Sequence, residues 1–244
     1  MTIQNNQLIS PYLSKFDINE ITNIYEDPIF VEFYDEITNA EAFFNDIQFY
    51  KDNISKNSLT VEFAAGTGRV TIPLLDSGYK VIGIEKEYEM IKKIPEEYRL
   101  NFIQENIFNF EELNSIYKEL DTIIIPATSI SLFSMEQINT LIVNLTKLNS
   151  HFNIMFDLIN YKKVISQYPK KEITSEGTFY YYNFLSEEHL IYNLLHKDRK
   201  VLGYSVKYHH NITDLVQLFE NSGLKIEVKE VSNLYFMIMG SYEK

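Results

Sequence analysis

In Thr60-Val61-Glu62-Phe63-Ala64-Ala65-Gly66-Thr67-Gly68-Arg69 an apolar run ends in small residues, and a helix-like pattern follows. Small side chains let main-chain N–H groups approach a ligand, and a helix opening behind them presents its positive dipole end. An acid completes the constellation: Glu85, ending Val81-Ile82-Gly83-Ile84-Glu85, stands 23 residues beyond Glu62. That is close to the separation at which a strand-end carboxylate reaches ribose hydroxyls in a Rossmann-type unit. The predicted ligand carries a nucleoside.

What the run lacks narrows the choice. A dinucleotide fingerprint needs a third glycine where Thr71 stands, and a phosphate-cradling loop needs Gly-Lys-Ser/Thr where Gly68 is followed by Arg69-Val70. A ligand with a ribose and no pyrophosphate fits better. With Glu62 four residues before Gly66-x-Gly68, the run resembles the E-x-G-x-G-x-G motif of class I S-adenosyl-L-methionine (SAM) dependent methyltransferases, with Ala64 in place of the first glycine. An alanine is tolerated there at negative φ; at positive φ it crowds the methionine part of SAM.

The resemblance runs over roughly residues 55 to 244. It implies an α/β fold: a Rossmann-like, doubly wound, seven-stranded and mostly parallel sheet, with an inserted antiparallel β meander and an N-terminal helical lid. It also implies that Glu62, Ala64, Ala65, Gly66, Thr67, Gly68 and Arg69 surround SAM, and that Glu85 accepts from both ribose hydroxyls. Lys86 and Met90 then line the adenine side. In Phe102-Ile103-Gln104-Glu105-Asn106-Ile107, Asn106 replaces the family's acid; its amide oxygen still accepts from the adenine amine, and Ile107 follows it. Asp121 to Ser129 resembles the fourth strand and the loop facing the reactive methyl, placing Ala127 beside the cofactor and Ser129 beside the acceptor. His151 to Asp157 resembles the fifth strand, and Lys225–Lys229 with Tyr235–Met239 resemble the closing pair. Tyr34-Asp35-Glu36-Ile37 resembles the Tyr-Asp-x-Ile segment that closes over the cofactor in many small-molecule methyltransferases, with Tyr25 on the acceptor side.

The periodicities supply the positioning elements. Residues 1–55 are acidic and aromatic, with Phe43, Ile47 and Tyr50 at helical spacing; residues 56–160 form the SAM-binding core. Ile138, Leu141, Ile142, Leu145 and Leu148 make an apolar helical stripe capped by Ser134 with Gln137. Leu215, Val216, Leu218 and Phe219 make another, opened by Thr213 or Asp214 and stopped by Gly223. Between them, residues 173–212 read as three strands, Thr178 to Phe184, His189 to His196 and Leu202 to His210, a lid or dimer element. Alternation turns either Tyr181 or the pair Tyr180 and Tyr182 toward the cleft. Residues 213–244 close the single domain with a helix and a strand pair.

Composition bounds the partners. The 244 residues carry no cysteine, which excludes a disulfide scaffold, a thiolate nucleophile and a Cys-ligated zinc site. A net charge of −12 with only short basic clusters argues against DNA or RNA, whose phosphates require a basic face. No basic leader precedes an apolar run and no membrane-length apolar stretch occurs, so a cytoplasmic enzyme, monomer or homodimer, is expected without metal.

The chemistry asks little of the protein. A neutral amine attacks the sulfonium methyl without a base, whereas a hydroxyl usually needs one. Asp157, at the end of the fifth strand, and His209 or His210, after the meander, are the candidate catalytic groups; Asp157 and Tyr181 also stand as acceptor contacts. His151, His189 and His196 read as structural. The resemblance, nearest to sugar N,N-dimethyltransferases and peptide amino-terminal N-methyltransferases of bacterial specialised metabolism, implies methylation of a small molecule or short peptide at an amine, releasing S-adenosyl-L-homocysteine (SAH). The alternatives are O-methylation with His209 or His210 as base, and a SAM-binding homologue without turnover.

Overall fold

The computed structural model describes residues 17–38, 45–160, 170–185 and 189–244. In chain order its elements are β1 (Glu20–Asn23), α1 (Pro28–Ile37), α2 (Asp46–Asn53), β2 (Leu59–Phe63), α3 (Thr71–Asp76), β3 (Lys80–Glu85), α4 (Tyr88–Ile91), β4 (Phe102–Gln104), α5 (Asn114–Glu119), β5 (Thr122–Ile125), α6 (Met135–Leu148) and β6 (His151–Ile159), then β7 (Lys170–Thr174), β8 (Gly177–Leu185), β9 (His189–His196), β10 (Val201–Tyr208), α7 (Ile212–Asn221), β11 (Lys225–Glu230) and β12 (Tyr235–Glu243). Two sheets result, one of seven strands in the order β11-β12-β6-β5-β2-β3-β4 and one of five in the order β1-β10-β9-β8-β7.

The larger sheet is the Rossmann-like one expected from the sequence. β6, β5, β2, β3 and β4 run parallel, and β12 is inserted antiparallel between β6 and β11. Its central strands are covered on both faces: all of β5 (Thr-Ile-Ile-Ile) is buried, as is β2 after Leu59, with Thr60 and Glu62 as buried polar residues among the apolar ones. α6 starts at the anticipated capping box, where Ser134 Oγ accepts from Gln137 N–H at 3.1 Å and Gln137 Oε1 accepts from Ser134 N–H at 2.8 Å. It buries Ile138, Leu141, Ile142 and Leu145 against the sheet. α7 begins slightly before the anticipated Thr213, because the Asn211 side chain accepts from Thr213 N–H at 2.9 Å and caps the helix first. Chain order reverses between β2 and its neighbours β3 and β5, and this switch point opens a crevice at the carboxyl ends of the strands.

The smaller sheet exceeds the three strands read from the sequence. β7 (Lys-Lys-Glu-Ile-Thr) is an exposed, charged edge strand with no buried face to create alternation. β1 comes from the N-terminal segment read as helical and pairs in parallel with β10, Glu20 opposite Val201 through Asn23 opposite Tyr204. α1 lies on this sheet: its N-cap Asp27 accepts from Ile29 N–H at 2.9 Å, and Phe30 and Phe33 are buried against Phe179. The close approach requires Gly203, where a Cβ would meet Phe30 at 2.8 Å. Tyr50 is buried in α2, while Phe43 and Phe44 lie outside the described residues. No helix among the described residues is long and apolar enough to cross a membrane.

Candidate active site

The turn after β2 has the left-handed backbone its small residues suggest, with φ of 54° at Ala64, 59° at Gly66 and 89° at Gly68. Ala64 therefore adopts the positive φ at which the sequence reading expects crowding of the ligand. Gly66 N–H donates to Glu85 Oε2 and Glu87 N–H to Glu85 Oε1, both at 2.9 Å. Glycine turn and strand-end acid thus form one unit. Burial raises the Glu85 pKa, and the two N–H bonds oppose that rise.

A cavity of about 390 Å³ opens over this unit, between the carboxyl ends of the large sheet and the edge of the small one. Of the residues expected around the cofactor, Tyr34, Ala64, Gly66, Glu85, Lys86, Met90, Asn106, Ile107 and Ala127 line it; of those expected around the acceptor, Tyr25 and Ser129 do. Asn106 is partly committed to its own loop, since its Oδ1 accepts from Phe108 N–H at 3.0 Å. Its neighbour Glu105 also lines the cavity and accepts from Asn106 N–H at 2.7 Å.

The remaining expected residues stand behind the wall. Ala65 and Gly68 shape the turn, with Ala65 N–H donating to Ile84 O at 3.1 Å and Gly68 N–H to Ala65 O at 3.0 Å. Thr67 is next to Asp35 of α1, where burial raises the Asp35 pKa and the Thr67 side chain opposes that rise. Glu62 is buried and accepts from the Thr71 hydroxyl; burial pushes its pKa up to about 8. Arg69 makes a fork to Asp46, with Nη1 at 2.9 Å and Nη2 at 2.5 Å, tying the turn to α2. Tyr181 shares the face of Phe179 and packs beside Tyr192 rather than lining the cavity; Tyr180 and Tyr182 do not line it either.

Neither candidate histidine is in the cavity wall. His210 is buried with its Nε2 2.9 Å from Phe133 O, stacks on Tyr208, and has its pKa lowered by burial. His209 does not line the cavity. Asp157, the third candidate base, is fully buried and faces the back of the loop after β5. Its Oδ2 accepts from Thr128 N–H at 2.7 Å. Burial pushes its pKa up to about 7, opposed by the nearby Tyr235 hydroxyl and by the Thr128 N–H bond. Ala127 and Thr128 both have positive φ, 57° and 59°, so the loop that presents Ala127 and Ser129 to the cavity is held against its own preference. From the other sheet Lys207 Nζ donates to Thr128 Oγ1 at 3.3 Å.

Sequence reasoning missed Asn23 of β1, Tyr204, Ser205, Val206 and Lys207 of β10, and Leu132, Phe133 and Gln137 near α6. The β1 and β10 residues reach the cavity because the small sheet lies over the cleft, for which no local pattern exists. Glu87, Glu105 and Phe108 were within reach, since each is next to or two residues from a predicted ligand contact. Among the described residues, no three His, Asp or Glu side chains converge as metal ligands.

No protein-family model matches this chain, and no curated protein matches it. Among solved structures it is similar to a SAM-dependent methyltransferase from Clostridium acetobutylicum ATCC 824, with a TM-score of 0.69 and 14% identity over 88% of this chain and 98% of the other. It is similar to the CcbJ methyltransferase from Streptomyces caelestis, with a TM-score of 0.71 and 15% identity over 91% and 99%. The glycopeptide N-methyltransferase MtfA, complexed with SAH, gives 0.56 and 13% over 98% of both chains. The fold is that of these methyltransferases.

Proposed function

We propose that this protein transfers the methyl group of SAM to an amine nitrogen of a small molecule or short peptide. The observation that carries the reading is the pairing of Gly66 N–H with the Glu85 carboxylate in the wall of the switch-point cavity. SAM supplies a methyl group on a sulfonium, an excellent leaving group, and the residues present suit it: a carboxylate for ribose hydroxyls, with Met90 and Ile107 as apolar walls and Asn106 and Glu105 as acceptors for an adenine amine. The chain's own part is to bind, orient and exclude water. Tyr25, Tyr34 and Tyr204 form an aromatic wall over the cleft, and the loop held by Asp157 sets its floor.

The amine reading is supported by the absence of histidine from the described cavity wall, since an amine that loses its proton to solvent attacks without a protein base. The name of MtfA as a glycopeptide N-methyltransferase agrees with it. Incubation with SAM and a panel of amines and short peptides, following SAH release, tests the reading. Release with amines supports it, and release only with hydroxyl acceptors would shift it to O-methylation. The Ala64 methyl at positive φ favours a second reading, a SAM-binding homologue without turnover. SAH binding without release from any acceptor would select that one.

A further inference from the structure

The cavity is electrically lopsided. Among the described residues its acids are Glu85, the last residue of β3, and Glu87 and Glu105, just after β3 and β4, where the resemblance places ribose and adenine. Lys86 is on that side too and is paired with Glu87 at 2.7 Å. Among the described residues, the part of the opposite wall built by β10 has Lys207 and no acid. In a chain with a net charge of −12, a lysine in a cleft wall departs from the background.

Lys207 is well placed to meet an acceptor. Its Nζ is 3.3 Å from Thr128 Oγ1, in the loop that presents Ser129 to the cavity. Burial pushes the Tyr34 pKa up to about 12, with the charges of Arg69 and Lys207 opposing that rise and Tyr25 and Glu62 adding to it, so Lys207 stands close enough to act on a hydroxyl of the cavity wall. β1 covers the edge of β10 only as far as Tyr204, while β10 continues to Tyr208, so successive residues Tyr204 to Lys207 all reach the cavity along a strand edge. A lysine ammonium on this wall suits a carboxylate.

We propose that the acceptor carries a carboxylate in addition to the group that is methylated, and that Lys207 on the β10 wall binds it. The inference rests on the methyltransferase reading, and names the substrate class as amino-acid-like or peptide-acid compounds. Lys207 is then a specificity residue.

The test uses the full-length protein saturated with SAH and three matched pairs of probes: L-tyrosine and L-tyrosinamide, hippurate and hippuramide, phenylacetate and phenylacetamide. Binding is read by ligand-observed NMR or calorimetry on wild type, Lys207→Met and Lys207→Arg. A charge-assisted contact predicts that at least one acid binds about tenfold tighter than its amide, that Lys207→Met abolishes the difference, and that Lys207→Arg restores most of it. SAH affinity, measured first, stays within about twofold in both variants on this assignment, and also reports that each variant is folded. No acid preference in any pair, or a preference that survives in Lys207→Met, overturns the proposal. A tenfold or greater loss of SAH affinity in Lys207→Met, with the fold kept, would overturn it by assigning the lysine to the cofactor's own carboxylate. Failure of wild type to bind SAH would instead remove the methyltransferase reading beneath it.

Discussion

Asp157 Oδ2 accepts a 2.7 Å hydrogen bond from Thr128 N–H, and Thr128 is the second of two consecutive residues in the left-handed region. The Asp157 carboxyl, two residues before the end of β6, therefore holds the loop after β5 from behind. The position that reads from the sequence as a contact to the acceptor is, in the fold, a support for the loop that faces the acceptor.

Removing that support should be felt as stability. Asp157→Ala leaves the Thr128 N–H without its buried acceptor and the left-handed pair without its clamp, a loss of about 1–3 kcal/mol. For a chain of this size each kcal/mol lowers Tm by about 2–4 °C. Asp157→Asn keeps an acceptor oxygen and should lose clearly less. Equal melting temperatures for wild type and Asp157→Ala would show that the loop holds itself.

Glu62 and Asp157 give stability a definite pH trend. Both have folded pKa values raised by burial, to about 8 and about 7, above ordinary carboxyl values near 4 in the unfolded chain. Between those limits the folded state binds more protons than the unfolded one. This contribution to stability is fully present below the unfolded values and is lost as pH rises through the folded ones. Urea unfolding should therefore show stability falling between about pH 5 and pH 8, and Glu62→Gln should flatten the slope. A slope unchanged in Glu62→Gln would remove Glu62 from the account.

Ala64 has a φ of 54°, a conformation an alanine occupies at a cost and a glycine does not. Ala64→Gly should stabilise the protein by up to about 1 kcal/mol and leave SAH affinity equal or higher, because the wall recedes where the methyl group stood. Thermal melts with and without SAH check both parts. Weaker SAH binding in the glycine variant would mean that the methyl group packs on the ligand rather than crowding it.

Much of the large sheet was legible because its central strands are buried and two of its helices, α6 and α7, carry side-chain caps. The Ser134–Gln137 box and the Gly66 turn are local signals, and both are where the sequence places them. The small sheet was legible only in part. β7 has no buried face, and β1 is four residues paired with a strand far along the chain, so neither leaves a periodicity to read. The same non-local pairing accounts for Lys207, which local pattern cannot place in the cleft. Asp157 could be assigned to a strand end from sequence, but whether its carboxyl points into the cleft or under the loop depends on Thr128 adopting a positive φ.

The central claim is that the Gly66–Glu85 unit holds the ribose of SAM, and calorimetry of SAH binding to wild type and Glu85→Ala tests it most directly. The account predicts that wild type binds SAH and does not bind NAD, and that Glu85→Ala, still folded, binds SAH about tenfold to a hundredfold more weakly through loss of charge-assisted bonds to the ribose hydroxyls. NAD binding in preference to SAH, or an SAH affinity unchanged in Glu85→Ala, would contradict it.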